Sequence, residues 1–280
     1  MARNNDIENH HLIKYSDHLH NVYQGKGFFL KGMVRHDGIT DGATVKFFIN
    51  GKTVAGKKQR GGLVPGGTNE RGSVKMDLER TYAKNNYEDF DQLVTNYDQN
   101  SSIVVPQAMA LGRSHDAEII ASMDKLVPSD GGLQVVAWNK TKPLDSMDAI
   151  LQAFDVSEVE LGDTYVVLPQ SAWAGLKRLP QFSSLDYIKE SELPYTGVQA
   201  VKWNGLTVMK APTSKLFNTK GGKIQAYAFD KTAVGYEGKA DITTKTEYRI
   251  DYDDWTVSSM MDVATGVIDP AGVIRIEISV

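Results

Sequence analysis

Residues 55–73 read AGKKQRGGLVPGGTNERGS, six glycines and one proline in nineteen residues. Glycine and proline at that density oppose both helix and strand, so the segment is a flexible excursion into solvent. Before it, residues 42–54 (GATVKFFINGKTV) are rich in β-branched and aromatic residues and contain the turn pair Asn50-Gly51, a strand-like composition. After it, VKMDLERTYAKNNYEDF returns as a second strand, with Val74, Met76 and Leu78 on one face. Two strands joined by a glycine-rich tip make an extended hairpin. Lys52, Lys57, Lys58, Arg60, Arg71, Lys75 and Arg80 stand in it against Glu70, Asp77 and Glu79, a surplus of four positive charges in a chain whose net charge is −4. Such a hairpin has no core of its own to enter. It restricts the chain to a fold that reaches out to something acidic.

The totals exclude several classes. A chain of 280 residues is one large domain or two interleaved ones, and buries about three-quarters of the surface its unfolded form exposes. An acidic balance does not suit a surface built throughout to grip nucleic acid, because phosphates are neutralised by Lys and Arg. There is no Cys, which removes disulfides, thiolate zinc sites and a Cys nucleophile. The start, MARNNDIENHH, carries no apolar segment that would act as a secretion signal. No stretch approaches the roughly 18 apolar residues of a membrane span. These features lead us to expect a soluble chain made in the cytosol, with no membrane partner.

Further along, the elements are mixed. Residues 1–40 are a polar arm with scattered apolar positions. NSSIVVPQAMALGRSHDAEIIASMDKL reads as a long helix capped by Asn100 or Ser101. Its apolar side holds Met109, Leu111, Ala117, Ile119, Ile120, Met123 and Leu126, and Gly112, Arg113, Asp116 and Lys125 are spread around the helix. DSMDAILQAFD predicts a second helix capped by Asp145 or Ser146. DTYVVLP predicts a buried strand, QSAWAGLKRL a short helix, and YTGVQAVKWNGLTVMKAP a hairpin turning at Asn204-Gly205. KIQAYAFDKTAVGYE starts as a strand, and the last strand, from Val273 to Ile278, alternates. The fold class is α+β with mostly antiparallel strands.

No motif carries catalysis. NGKT at residues 50–53 ends like a phosphate loop, but the required first glycine is replaced by Lys46. His10, His11, His18 and His20 cluster in the arm, where nothing fixes ligands rigidly. DYDDW, residues 251–255, offers carboxylates, yet neighbours in a strand face opposite ways, so a solvated edge or an acidic partner for the basic hairpin is expected. His115 has no nucleophile near it in sequence and reads as structural. We therefore assign no catalytic residue, no metal ligand and no cofactor.

The order of these elements resembles the major capsid proteins of tailed bacteriophages, the Hong Kong 97 type of fold. The likeness is carried by the arm, the long basic hairpin, TYAKNNYEDFD, and the helix with ALGRSHDAEIIASM. It continues through YVVLPQSAWAGLKRL, SSLDYI and GVQAVKWNGLTVMKAP, and closes on AYAFDKTAVGYEGKADITTKTEYR and MMDVATGVIDPAGVIRIEIS. It implies an N-terminal arm (1–40), an extended loop (41–80) lying over a neighbouring subunit, and a peripheral domain (81–149) with a long spine helix whose charges, Asp116 among them, belong to a wet face and subunit contacts. An axial domain (150–237) and a return to the peripheral domain (238–280) would follow.

By the same resemblance the chain assembles with itself through hexamers and pentamers into an icosahedral virion shell, built in the host bacterial cytoplasm around double-stranded DNA held without sequence-specific contact. Inter-subunit contacts would fall to Lys52, Lys57, Lys58, Arg60, Arg71, Lys75 and Arg80. A portal protein, cement proteins and, because the chain is short and starts at Met1, a separate scaffolding protein are the expected partners. Two alternatives stay open at this point: an encapsulin-like nanocompartment around an enzyme cargo, and a soluble enzyme with its site in the middle domain.

Overall fold

The computed structural model describes residues 26–53, 55–58, 60–63, 71–88, 99–128, 132–179 and 200–279. The four arm histidines, the hairpin tip at 64–70, the expected strand end at 89–91 and the SSLDYI segment lie outside the described residues. Alternation builds the first sheet. β1 (Ile39–Asp41), β2 (Thr44–Asn50) and β3 (Arg71–Asp77) pair antiparallel in that order. Val45, Phe47 and Met76 turn one face inward, as a period of two requires. The hairpin is as expected, but its returning strand breaks. Leu78 N–H donates to Ala43 O at 2.8 Å, and the chain enters a different sheet as β4 (Glu79–Glu88).

The long helix α1 (Gln99–Asp124) starts earlier than expected, with Asn100 and Ser101 already in its first turn and Pro106 inside it. A cap residue must stand outside the helix, so neither is the cap. After β5 (Gln134–Trp138), α2 (Pro143–Val156) also begins before its expected caps. Proline is its first residue, where the missing N–H costs nothing. Asn139 Oδ1 accepts from Thr141 N and Lys142 N, while Ser146 Oγ accepts from Asn139 N at 2.9 Å. Met147, Ile150, Ala153 and Phe154 form the buried side of α2.

β6 (Thr164–Leu168), α3 (Gln170–Lys177), β7 (Ala200–Trp203) and β8 (Leu206–Lys210) follow. Asn204 and Gly205 both have positive φ, 46° and 85°, the conformation that a two-residue hairpin turn with the right twist demands. β9 (Thr219–Lys220), β10 (Lys223–Asp230), β11 (Val234–Arg249), β12 (Asp254–Val267) and β13 (Val273–Ser279) complete the order. A seven-stranded sheet runs β5-β13-β10-β6-β8-β7, with β9 flanking β10. β13 with β5 and β6 with β8 are parallel, and the other pairings in that sheet are antiparallel. This sheet crosses the boundaries expected at residues 149–150 and 237–238, since β5 and β13 join strands of the middle segment. A third sheet, β11-β12-β4, lies along α1.

The buried side of α1 departs from expectation. Gln107, Leu111, His115, Asp116, Ile119, Ile120 and Met123 are buried, whereas Ala117 is exposed. Gln107 Nε2 donates to Val257 O at 2.9 Å, and Ser259 Oγ donates to Gln107 Oε1 at 2.7 Å. These bonds satisfy a buried amide and fix the register of the helix on the third sheet.

Asp116, expected on a wet surface, is instead an interior socket. Its two oxygens accept from Phe29 N and Leu30 N, each at 3.0 Å. His115 Nδ1 lies 3.2 Å from Asp116 Oδ1, which assigns the ring proton to Nδ1, because a carboxylate only accepts. The His115 ring packs between Phe28 and Tyr236, with centroids 5.1 and 4.3 Å away. Gly27 allows the approach: at φ +75° its added Cβ would stand 2.1 Å from Gly112 C. Leu30, Met33 and Val34 then enter the core, and Arg35 bonds through its backbone to Val234 and Tyr236.

Asp116→Ala should therefore destabilise the subunit by about 3 kcal/mol, the cost of leaving two buried donors without acceptors. Asp116→Asn, with one acceptor oxygen, should fall between it and the unmodified chain. Urea unfolding followed by fluorescence checks both.

Candidate subunit-contact surfaces

The described part of the hairpin carries its cations outward. The β2–β3 ladder ends at Asn50↔Arg71, and Lys52, Lys57, Lys58 and Arg60 lie beyond it, all exposed. Every described residue from 51 to 63 is exposed, and Leu63 is 96% exposed.

The seven predicted contact residues are not brought to one place. Arg80 is bonded through Nε and Nη2 to both oxygens of Asp262 on β12, so it joins β4 to its neighbour within the chain. Lys52 pairs with Glu158 in the turn after α2, and the Lys52 ammonium holds the Glu158 carboxyl below its ordinary range. Lys75 lies near the Asp41–Lys46 pair, where it adds to the fields that lower the Asp41 carboxyl after the Lys46 hydrogen bond. Lys57, Lys58, Arg60 and Arg71 have no ion-pair partner among the described residues.

A second surface was not legible in the sequence. The turn after α2, the turn after β10 and the turn before β13 enclose a cleft of about 740 Å³. Glu158, Glu160, Asp163, Asp230 and Asp269 line it, with Lys52 at its edge. Asp230 Oδ1 accepts from Thr232 N and Asp269 Oδ1 from Ala271 N, both at 2.9 Å, so these two also shape their turns. Sequence alone carried no signal for the cleft, because its acids come from three distant turns.

A third surface corrects the reading of DYDDW. Residues 250–253 form the turn of the β11–β12 hairpin. Asp254 accepts from the Arg249 guanidinium, with Nε to Oδ1 at 2.7 Å, and that bond lowers its carboxyl below the usual range. Asp253, at φ 51°, accepts from Tyr248 Oη. Asp253 and Asp254 thus bond within their own hairpin, while Asp251 is exposed in its turn. Ile250 and Tyr252 are left projecting, 84% and 70% exposed.

His115 is sealed from solvent. Among the described residues, no three His, Cys, Asp or Glu side chains are grouped to hold a metal. At the end of α1, Asp124 accepts from Tyr227 Oη and Asn218 Nδ2. Burial first, and then that hydrogen bond, push the Tyr227 phenol far above its ordinary range. Arg275 Nη2 donates to Leu126 O at 2.5 Å. This cluster ties α1 to the seven-stranded sheet.

Comparisons with known proteins agree with this architecture. No curated protein matches the chain. Among solved structures, the head of Helicobacter pylori bacteriophage KHP40 is similar at TM-score 0.72 and 11% identity, covering 100% of this chain and 98% of that one. The capsid of Cyanophage P-SCSP1u is similar at TM-score 0.71 and 14% identity, covering 98% and 94%. The capsid of a native GTA particle is similar at TM-score 0.70 and 12% identity, covering 95% of each. At such identities these likenesses establish the fold, that of tailed-phage capsid subunits. The profile of the phage capsid protein family matches residues 7–280, nearly the whole chain, and the chain belongs to that family.

Proposed function

We propose that this capsid protein is the major subunit of a closed shell, assembling through rings of six and five copies into an icosahedral container for the double-stranded DNA of a tailed phage. The observation that carries this reading is the basic hairpin: Lys57, Lys58 and Arg60 stand beyond the β2–β3 ladder with no ion-pair partner among the described residues. A segment of that kind is useful only against another molecule. Contacts between identical subunits that repeat head to tail close into rings, and opposite charges set their register more than their strength. A net charge of −4 supports weak, sequence-independent contact with packed DNA.

The role is structural rather than catalytic in this reading. The match to the phage capsid protein family supports that. A portal protein, a separate scaffolding protein and cement proteins are the partners of this reading, and the host cytoplasm is its place of assembly. The nanocompartment alternative is not favoured, because the family match is to phage capsid proteins.

Negative-stain microscopy of the chain, expressed alone and with its scaffolding partner, should reveal shells, tubes or sheets of six-membered rings. Uniform particles of one or two subunits under every condition would refute the shell. Reversing charge at Lys57, Lys58 and Arg60 together should abolish these assemblies while shifting the subunit melting temperature by no more than about 2 °C. Calorimetry and light scattering on the same sample measure both.

A further inference from the structure

We propose that the acidic cleft beside α2 is the seat for the basic tip of the hairpin of a second copy of this chain, the stretch that carries Lys57, Lys58 and Arg60. The inference rests on the shell reading above and adds to it the surface that receives the hairpin. The acids of the cleft come from separate turns: Glu158, Glu160 and Asp163 after α2, Asp230 after β10, and Asp269 before β13. Among the described residues no three of them focus on a point that would hold a metal. Carboxylates strung along a groove match a series of cations along an extended segment better than a single ion. Lys57, Lys58 and Arg60 are such a series.

Two observations tie the hairpin to this cleft. One hairpin cation is already there, since Lys52 donates to Glu158 at its edge. The chemistry of a lysine in the cleft is thus present within one copy. Lys57, Lys58 and Arg60 do not line the cleft of their own chain. Glu160 and Asp163 are exposed, and their carboxylates have no ion-pair partner among the described residues. Each copy therefore carries a basic tip and an acidic seat that it does not join. If the tip of one copy enters the seat of the next, the contact is heterologous, and its repetition makes a ring.

Charge exchange tests this. One variant carries Lys57→Glu, Lys58→Glu and Arg60→Glu. The other carries Glu160→Lys and Asp163→Lys, residues chosen because Asp230 and Asp269 hold turns. Each variant alone should lose at least about tenfold in ring yield by sedimentation, with an unchanged melting curve. Both sets combined in one chain should restore rings. So should an equal mixture of the two variants, because alternating copies in a six-membered ring place every tip in a seat of opposite charge. Contact within one chain gains nothing from mixing, so rescue in the combined chain but not in the mixture overturns the proposal. A seat variant that assembles like the unmodified chain also overturns it, leaving the shell reading intact. An unmodified chain that forms no rings or shells takes down both.

Discussion

The carboxylate of Asp116 is the hinge of the whole arrangement. It lies within α1, yet its bonds go to the backbone of Phe29 and Leu30. A buried carboxyl group is tolerable only when its oxygens have hydrogen-bond partners, and here two amides and an imidazole lie against them. In return, residues 28–36 are fixed along α1 and against β11. That fixes Leu30, Met33 and Val34 in the core shared by the helix and the seven-stranded sheet. One side chain thus ties residues 28–36 to α1, and the Arg35 backbone carries the tie on to β11.

Around that point, the hydrophobic and polar terms divide their labour. The seven-stranded sheet is held by apolar burial: Ile274, Ile276 and Ile278 on β13 and Val166, Val167 and Leu168 on β6 are fully buried. The contact of α1 with the third sheet is held in register by amides and hydroxyls, through Gln107, Asn85, Ser259 and Thr244. Apolar packing tolerates small slides, whereas a satisfied polar network has one best position. The helix is therefore a beam whose place on the sheet is specified rather than merely favoured.

Local rules made much of this readable. Asn204-Gly205 announced a tight hairpin because only a few residues accept positive φ twice in succession. The alternation of β13 and the spacing in α2 were plain for the same reason: they depend on neighbours in the chain. Some misses were local: both helices begin before their expected caps, and Asp253 and Asp254 bond to residues five positions back. The rest involve partners far away: Asp116 was expected on a wet face, but its partners lie 86 and 87 residues off. Lys52 and Glu158 are 106 residues apart, and Arg80 and Asp262 are 182. The acidic cleft needs three turns to meet. No pattern within a window of residues encodes such meetings, so the hairpin was legible as a basic projection while its surroundings were not.

The place of β13 carries a consequence for how the subunit is made. It lies between β5 and β10 and bonds to both, so the sheet stays in two pieces until residue 279 has been synthesised. A ribosome delivering this chain releases α1, the basic hairpin and the turns after α2 and β10 before the sheet can close. The proposed contact surfaces are then held on an incomplete frame, and the sheet that carries most of the core is closed only when its inner strand arrives.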